Sequence, residues 1–285
     1  MFTITNKLVL APGVKRLDIH VPRIASVVKP GQYVVVVPFF GGKWIPLAVS
    51  DADKHKGHIT LIFKEIGSAT RQLGALSIND EFYSVSGPFG QPAQIKNWGT
   101  VVCACSGIGT AQMLPICRAL RSAGNKVIVI IGEKNRREVM LEPQLRLSCH
   151  KLNLVTQDGL YERRRSISDM VVELIARERV GLVYAIGPVE MMETVASITE
   201  KKKIPMHVQL NLLILCGRGL CGSCRVRYNG QTILTCQHGP EFDAHRVDFA
   251  NVRLRLQMVE QDRTPSDQSD GSDVLNKFFP GLLKK

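Results

Sequence analysis

The chain has 285 residues, and its 37 Lys and Arg against 25 Asp and Glu give a formal net charge of +12. Hydrophobic residues make up 45%, which excludes wholesale disorder, and aromatics only 6%, with no basic–aromatic platform of the kind a dedicated nucleic-acid binder needs. No apolar stretch reaches about 18 residues, and the N-terminus lacks the apolar run and cleavage site of a signal peptide; the expectation is a cytoplasmic chain in a reducing compartment, where disulfides are disfavoured.

Residues 1–96 read as short β segments. "QYVVVVPFF" (32–40), "WIPLAVSD" (44–51), "HITLIFKEI" (58–66) and "EFYSVSGP" (81–88) are β-branched and aromatic runs at the spacing of a small antiparallel barrel or sandwich. "SATRQLGAL" (68–76) reads as one short helix within this unit.

After Trp98 the pattern changes. "GTVVCACSGIGTAQMLPICRALRSAGNKVIVIIG" is strand, Gly-rich turn, helix, strand, and "KLNLVTQ", "SDMVVELIARE", "GLVYAIGP" and "EMMETVASITEK" continue the alternation. Such alternation predicts a doubly wound parallel sheet covered on both faces over residues 97–205. In "CSGIGTA", Gly107 and Gly109 allow a tight turn that brings backbone N–H groups toward a pyrophosphate at a helix N-terminus, beside Thr110. G-x-G alone is a weak signal, and the strand–turn–helix context gives it weight. "AIGPVEMME" places Gly187 and Pro188 at the same carboxyl edge of the sheet.

Residues 206–260 carry the densest chemistry. Cys216, Cys221, Cys224 and Cys236 are separated by four, two and eleven residues, the plant-type [2Fe–2S] spacing of three thiolates in one loop and a distant fourth. Gly217, Gly219 and Gly222 let backbone N–H groups approach inorganic sulfide, and Asn229-Gly230 marks a hairpin that returns the fourth cysteine on a strand, "TILTC". Structural zinc is the alternative, since four thiolates also suit a tetrahedral site, although zinc sites usually show two short Cys pairs. Cys103, Cys105, Cys117 and Cys149 lie on apolar patterns and read as buried small hydrophobes. His238 and His245 flank "GPEFD" and read as packing or supporting hydrogen bonds, four sulfurs already completing a cluster. "NVRLRLQMVE" reads as a strand, and residues 261–285 as a mobile tail, whose Phe278 and Phe279 either dock on a neighbour or fray. The basic clusters Arg163–Arg165, Lys201–Lys203 and Lys284–Lys285 read as solvated faces.

With "CGRGLCGSCRVRYNGQTILTCQHGPEFDAHRVDF", "VYAIGPVEMM" and the preceding "QLN", the chain over residues 1–258 resembles the ferredoxin-reductase superfamily. Within it the chain is most similar to the small subunits of NADH-dependent ferredoxin:NADP oxidoreductases, with the dihydroorotate dehydrogenase electron-transfer subunits as close cousins. The resemblance implies a multidomain β and α/β fold: an FAD-type antiparallel barrel, an NAD(P)-binding domain and a small [2Fe–2S] loop subdomain. It implies FAD, NAD(P)H and a cluster that passes electrons to a larger flavoprotein subunit or a ferredoxin. By position, Gly67, Ser68 and Thr70 of "EIGSAT" would face the FAD pyrophosphate, and Trp44, Pro46, Leu47 and Ala48 of "WIPLAVS" would lie beside the isoalloxazine. The family usually has "RIPLT" there; Trp44 and Ala48 depart from it, and Lys43 is the cation available in place of the arginine. A flavin-free adaptor bearing only the cluster is the rival that these departures, with Ser106 where a third Gly is usual, motivate. Family members often have Asp where Cys216 stands, so the full cysteine set resembles the dihydroorotate-type subunit. Where the family reads "TDDGS", this chain has "TQDGLYERRR": Asp158 is kept, Gln157 and the arginines favour an adenosine 2′-phosphate, and Glu133 is the rival ligand, for a ribose hydroxyl. No G-x-S-x-G, H-E-x-x-H or Walker loop is present, and hydride and outer-sphere electron transfer need no protein nucleophile.

Overall fold

The computed structural model describes residues 2–159, 165–211 and 214–261. Arg163, Arg164 and the expected tail with Phe278, Phe279, Lys284 and Lys285 lie outside the described residues.

The N-terminal unit contains β1 (Ile4–Ala11), β2 (Val14–His20), a single turn α1 (Pro22–Ala25), β3 (Tyr33–Val37), β4 (Ile45–Asp53), β5 (His58–Lys64), α2 (Ser68–Ala75) and β6 (Ser84–Phe89). The six strands are antiparallel in the order β1-β2-β5-β4-β3-β6. A bridge between Thr3 and Glu81, with Ile4 N–H donating to the Asp80 carbonyl at 2.9 Å, joins the first strand to the approach to the last and closes the ring. Alternation along β3 explains its unbroken apolar run. Val34 and Val36 point into the barrel core with Ile45, Leu47 and Val49, whereas Tyr33 and Val35 point outward into the core of the rest of the molecule. Pro46 sits in the half of β4 that pairs with β3 alone, β5 joining only from Val49, so its missing N–H interrupts no ladder on the open side.

The second unit runs β7 (Thr100–Cys105), α3 (Gly109–Ser122), β8 (Lys126–Glu133), α4 (Glu142–Ser148), β9 (Lys151–Thr156), α5 (Ile167–Arg177), β10 (Val180–Ile186), α6 (Val189–Lys201) and β11 (Met206–Gln209). These five strands are parallel. Residues alternate between faces: Val101, Cys103 and Cys105 pack under α3 and α4, while Val102 and Ala104 pack under α5 and α6. Cys117 and Cys149 share the first of these cores, and burial pushes the Cys105, Cys117 and Cys149 thiols up. For Cys117 a hydrogen bond with Cys103 contributes still more.

The remaining elements are β12 (Arg225–Tyr228), β13 (Gln231–Leu234), α7 (Thr235–His238), β14 (Glu241–Asp243) and α8 (Phe249–Gln261). Three expectations are corrected here. The boundary at 205/206 divides one sheet: β11 is its fifth parallel strand, and β14 adds to it antiparallel, giving the order β14-β11-β10-β7-β8-β9. "NVRLRLQMVE" is helix α8, not strand; its V-R-L-R-L alternation imitates a strand, but Asp248 caps the helix by accepting from Asn251 N–H at 2.8 Å. Cys236 does not sit on a strand, because β13 ends at Leu234 and the chain turns into α7.

Candidate iron–sulfur and flavin site

The hairpin β12–β13 turns at Asn229 and Gly230, both with positive φ (51° and 76°), and returns Cys236 to the loop holding the other three cysteines. Cys216, Cys224 and Cys236 are buried; Cys221 is half-buried. The sulfurs group two and two. Cys221 lies against Cys216, and that neighbour together with the backbone N–H groups of Cys221, Arg218 and Leu220 holds the Cys216 thiol down at about 4. Cys236 pairs with Cys224, whose thiol is lowered to about 6 by that neighbour and by the Cys236 N–H. In each pair the other thiol, Cys221 or Cys236, is pushed up by its neighbouring cysteine and by burial. Further N–H groups reach the sulfurs of Cys221, from Ser223, and Cys236, from Gly219. Two thiol pairs inside a nest of backbone donors suit two irons bridged by sulfide, one pair to each, better than four thiolates closing on one zinc. Among the described residues, no three His, Cys, Asp or Glu side chains gather as a single-ion site. Exposed His238 bonds the Leu234 carbonyl at 3.0 Å and half-buried His245 the Thr199 hydroxyl at 2.9 Å, so each makes a supporting hydrogen bond.

The cluster loop seats on the outward face of β3. The Tyr33 hydroxyl lies 3.0 Å from the Gly217 carbonyl and 3.1 Å from that of Cys236, spanning both ends of the cysteine motif from the outer face of the barrel. Burial first, and then the cysteine sulfurs, push its phenol far above the ordinary value, so it remains a donor. Gly217 has φ +68°, and a Cβ there would meet Val35 Cγ2 at 2.7 Å, so both the conformation and the close approach require glycine. Sequence reasoning missed Tyr33: its partners lie 184 and 203 residues away, and it sits inside a run of valines.

On β4 the side chains of Pro46 and Ala48, and Trp44 just before the strand, are half-buried on the face away from the barrel core. Leu47 instead points into the core and offers only its backbone to that face. At the start of α2, Lys43 Nζ donates to Ser68 Oγ at 2.9 Å, which places a cation beside the helix N-terminus and Gly67. Thr70 departs from its expected role: its hydroxyl accepts from Ile66 and Gly67 N–H and caps the loop.

The second cluster of expected residues lies where strand order reverses, between β7 and β10, the usual ligand crevice of such sheets. Ser106 N–H donates to the Ile186 carbonyl at 3.2 Å, joining the loop of Gly107 and Gly109 to Gly187 and Pro188. A Cβ on Gly109 would overlap that same carbonyl, so Gly109 lets α3 start against β10. Thr110 is fully buried beside the Cys105 thiol, so its hydroxyl does not face the crevice. Glu133 is also buried, and its Oε1 accepts from Gly107 N–H at 2.8 Å rather than facing outward for a ribose. Asp158 lies beyond β9, its N–H bonded to the Lys134 carbonyl at 3.2 Å, two strands away from Gly107. Arg165 pairs with Glu173.

A closed antiparallel barrel, a switch-point sheet and a paired-cysteine loop docked between them define an electron-transfer subunit of the ferredoxin-reductase type. Residues 211–248 match the iron–sulfur cluster binding domain of dihydroorotate dehydrogenase B. The chain is 31% identical over 261 residues to a dihydroorotate dehydrogenase B (NAD(+)) electron transfer subunit homolog of Thermotoga maritima, covering 91% of this chain and 92% of that protein. It is 32% identical over 272 residues to an uncharacterized protein of Clostridium beijerinckii, covering 91% of each. Among solved structures, that of an NADH-dependent reduced ferredoxin-NADP oxidoreductase superposes with a TM-score of 0.87 at 29% identity, over 92% of this chain and 95% of that one. The ferredoxin-NADP+ reductase of Plasmodium falciparum, at 15% identity and a TM-score of 0.58, shares the fold. The chain belongs to the family of dihydroorotate dehydrogenase B electron-transfer subunits and their homologues. No described helix is long and apolar enough to cross a membrane.

Proposed function

We propose that this chain takes reducing equivalents from NAD(P)H and delivers them singly to a larger flavoprotein subunit. The observation that carries the reading is Tyr33, which ties the strand paired with Ala48 to the carbonyls of Gly217 and Cys236 and so fixes the cluster loop on the flavin face.

The residues present fit both groups. Cys216 and Cys221 would hold one iron and Cys224 and Cys236 the other, with backbone N–H groups neutralising the thiolates. Lys43, Ser68 and the first N–H groups of α2 would hold the flavin pyrophosphate, and Trp44, Pro46 and Ala48 would support its ring. What these groups supply when bound is hydride acceptance at the flavin and one-electron transfer at the cluster. Gly107, Gly109, Gly187 and Pro188 would bring the nicotinamide nucleotide to the crevice between β7 and β10. Tyr33, Val35 and Gly217 exclude water from the seam between barrel and loop. Lys43, whose Nζ donates to Ser68 Oγ, supports a flavin site over a flavin-free adaptor, because it offers a cation in place of the missing arginine.

Anaerobic purification after iron–sulfur reconstitution and FAD addition tests this. Flavin and cluster absorption, both bleached by NADH or NADPH, with a paramagnetic signal on reduction, is the expected result. A cluster spectrum without flavin would favour the adaptor, and zinc alone would overturn both.

A further inference from the structure

One arginine lies inside the span Cys216–Cys221, and its place is unusual. The guanidinium of Arg218 lies 4.7 Å from the ring centroid of Trp44 and 6.0 Å from that of Phe89. Trp44 leads into β4, and Phe89 ends β6, where its ring lies 6.0 Å from that of Tyr33. The backbone N–H of the same arginine donates to Cys216 Sγ. Gly217 and Gly219 on either side hold positive φ, 68° and 78°, and Gly217 is pressed against Val35 and Tyr33. Two consecutive loop residues are therefore anchored on the barrel, Gly217 through Tyr33 and Arg218 through Trp44 and Phe89. Arg218 is otherwise exposed, and two further cations reach the loop: Arg225, exposed on β12 near Gly222, and half-buried Arg255, which donates to the Ser223 carbonyl at 3.2 Å.

We propose that Arg218 is a positioning residue for electron transfer: stacked on Trp44, it holds the cluster loop against the flavin face and raises the reduction potential of the cluster beside it. This rests on the proposed function above and goes beyond it. One-electron reduction makes a cluster more negative, and a fixed neighbouring cation favours that state. Guanidinium stays charged at every working pH and has a planar face for an indole, whereas lysine keeps the charge but stacks poorly. The two effects can therefore be separated. Arg218→Gln removes charge and stacking, Arg218→Lys mainly the stacking, and Trp44→Leu the platform while leaving the charge.

The test uses the full chain loaded with FAD and cluster. It measures the cluster midpoint potential by spin-resonance-monitored titration and the flavin-to-cluster transfer rate by rapid mixing. Arg218→Gln is expected to move the potential negative and slow transfer. Arg218→Lys is expected to keep the parental potential while slowing transfer, and Trp44→Leu to slow transfer as well. A fully loaded Arg218→Gln protein with parental potential and parental rate overturns the inference and leaves the proposed function standing. A parent that takes up neither group overturns both. Should Arg218→Gln lose its cluster, parental rates in both Arg218→Lys and Trp44→Leu would overturn the inference, and slowed transfer at parental potential in Arg218→Lys would support it.

Discussion

The Tyr33 hydroxyl lies 3.1 Å from the carbonyl of Cys236, a contact between the third barrel strand and the last cysteine of the motif. With the Gly217 carbonyl at 3.0 Å, one phenol serves two buried acceptors. Tyr33→Phe keeps the ring against Phe89 and leaves both carbonyls without that donor, a loss of roughly 1–3 kcal/mol. The variant is expected to fold and bind FAD, to unfold at lower denaturant, and to release iron to a chelator faster than the parent. Parental iron release would show that Tyr33 does not hold the loop.

Glu133 supplies a pH dependence. Burial raises its carboxyl from 4.5 to about 7, against the opposing hydrogen bond from Gly107 N–H. Between those values the folded chain binds more protons than the unfolded one, so this carboxyl lowers stability as pH climbs from about 4.5 to about 7. The full effect is on the order of 3 kcal/mol. Glu133→Gln keeps an acceptor for Gly107 and removes the titration. Its melting temperature is expected to exceed the parent's at pH 8 by a few degrees, the gap closing toward pH 5. An ionised Glu133 at the Gly107 loop also opposes a pyrophosphate, so NAD(P)H affinity is expected to weaken with rising pH in the parent and not in Glu133→Gln. Parallel titrations of binding at the two pH values check this.

Much of this was legible in the sequence, for local reasons. The cysteine spacing, the Asn229-Gly230 turn and the unbroken apolar runs of β7 and β8 are encoded within a few residues of one another. What was not legible depends on distant partners. Tyr33 and Arg218 acquire their roles only once the barrel and the cysteine loop meet. Glu133 reads as a ligand for a ribose hydroxyl, but it is buried and accepts from Gly107 N–H instead. Thr70 and Thr110 matched motifs, yet the hydroxyl of one caps the loop before α2 and that of the other is buried beside Cys105. The α8 segment misled through a real alternation that Asp248 capping overrides.

The two crevice glycines should respond differently to alanine. Gly107 has φ +56° with open space where a Cβ would go, so Gly107→Ala costs only the left-handed conformation, about 1–2 kcal/mol. Gly109 has helical backbone, but a Cβ would overlap the Ile186 carbonyl, and forcing α3 from β10 costs roughly 1–3 kcal/mol or more. Gly109→Ala is therefore expected to be the less stable protein in urea and the weaker nucleotide binder. The reverse order would mean that α3 does not start against β10.

Lys43 is the cation proposed to let a barrel with Trp44 in place of arginine hold a flavin. Its ammonium donates to Ser68 Oγ at 2.9 Å at the N-terminus of α2, where the helix's unpaired N–H groups favour an anion. A charge-assisted contact of this kind is worth about 1.5–3 kcal/mol, which is roughly a 10- to 150-fold change in affinity. Lys43→Gln keeps a donor for Ser68 and removes the charge, so FAD affinity is expected to fall by that factor without loss of fold or cluster. Lys43→Arg is expected to match or exceed the parent, because the guanidinium fork suits phosphate oxygens. Flavin fluorescence quenching during titration of the apoprotein with FAD reads both, and FMN, which lacks the pyrophosphate bridge to AMP, is the control. Equal FAD affinity in Lys43→Gln and the parent would remove Lys43 from the site and return the adaptor reading to contention.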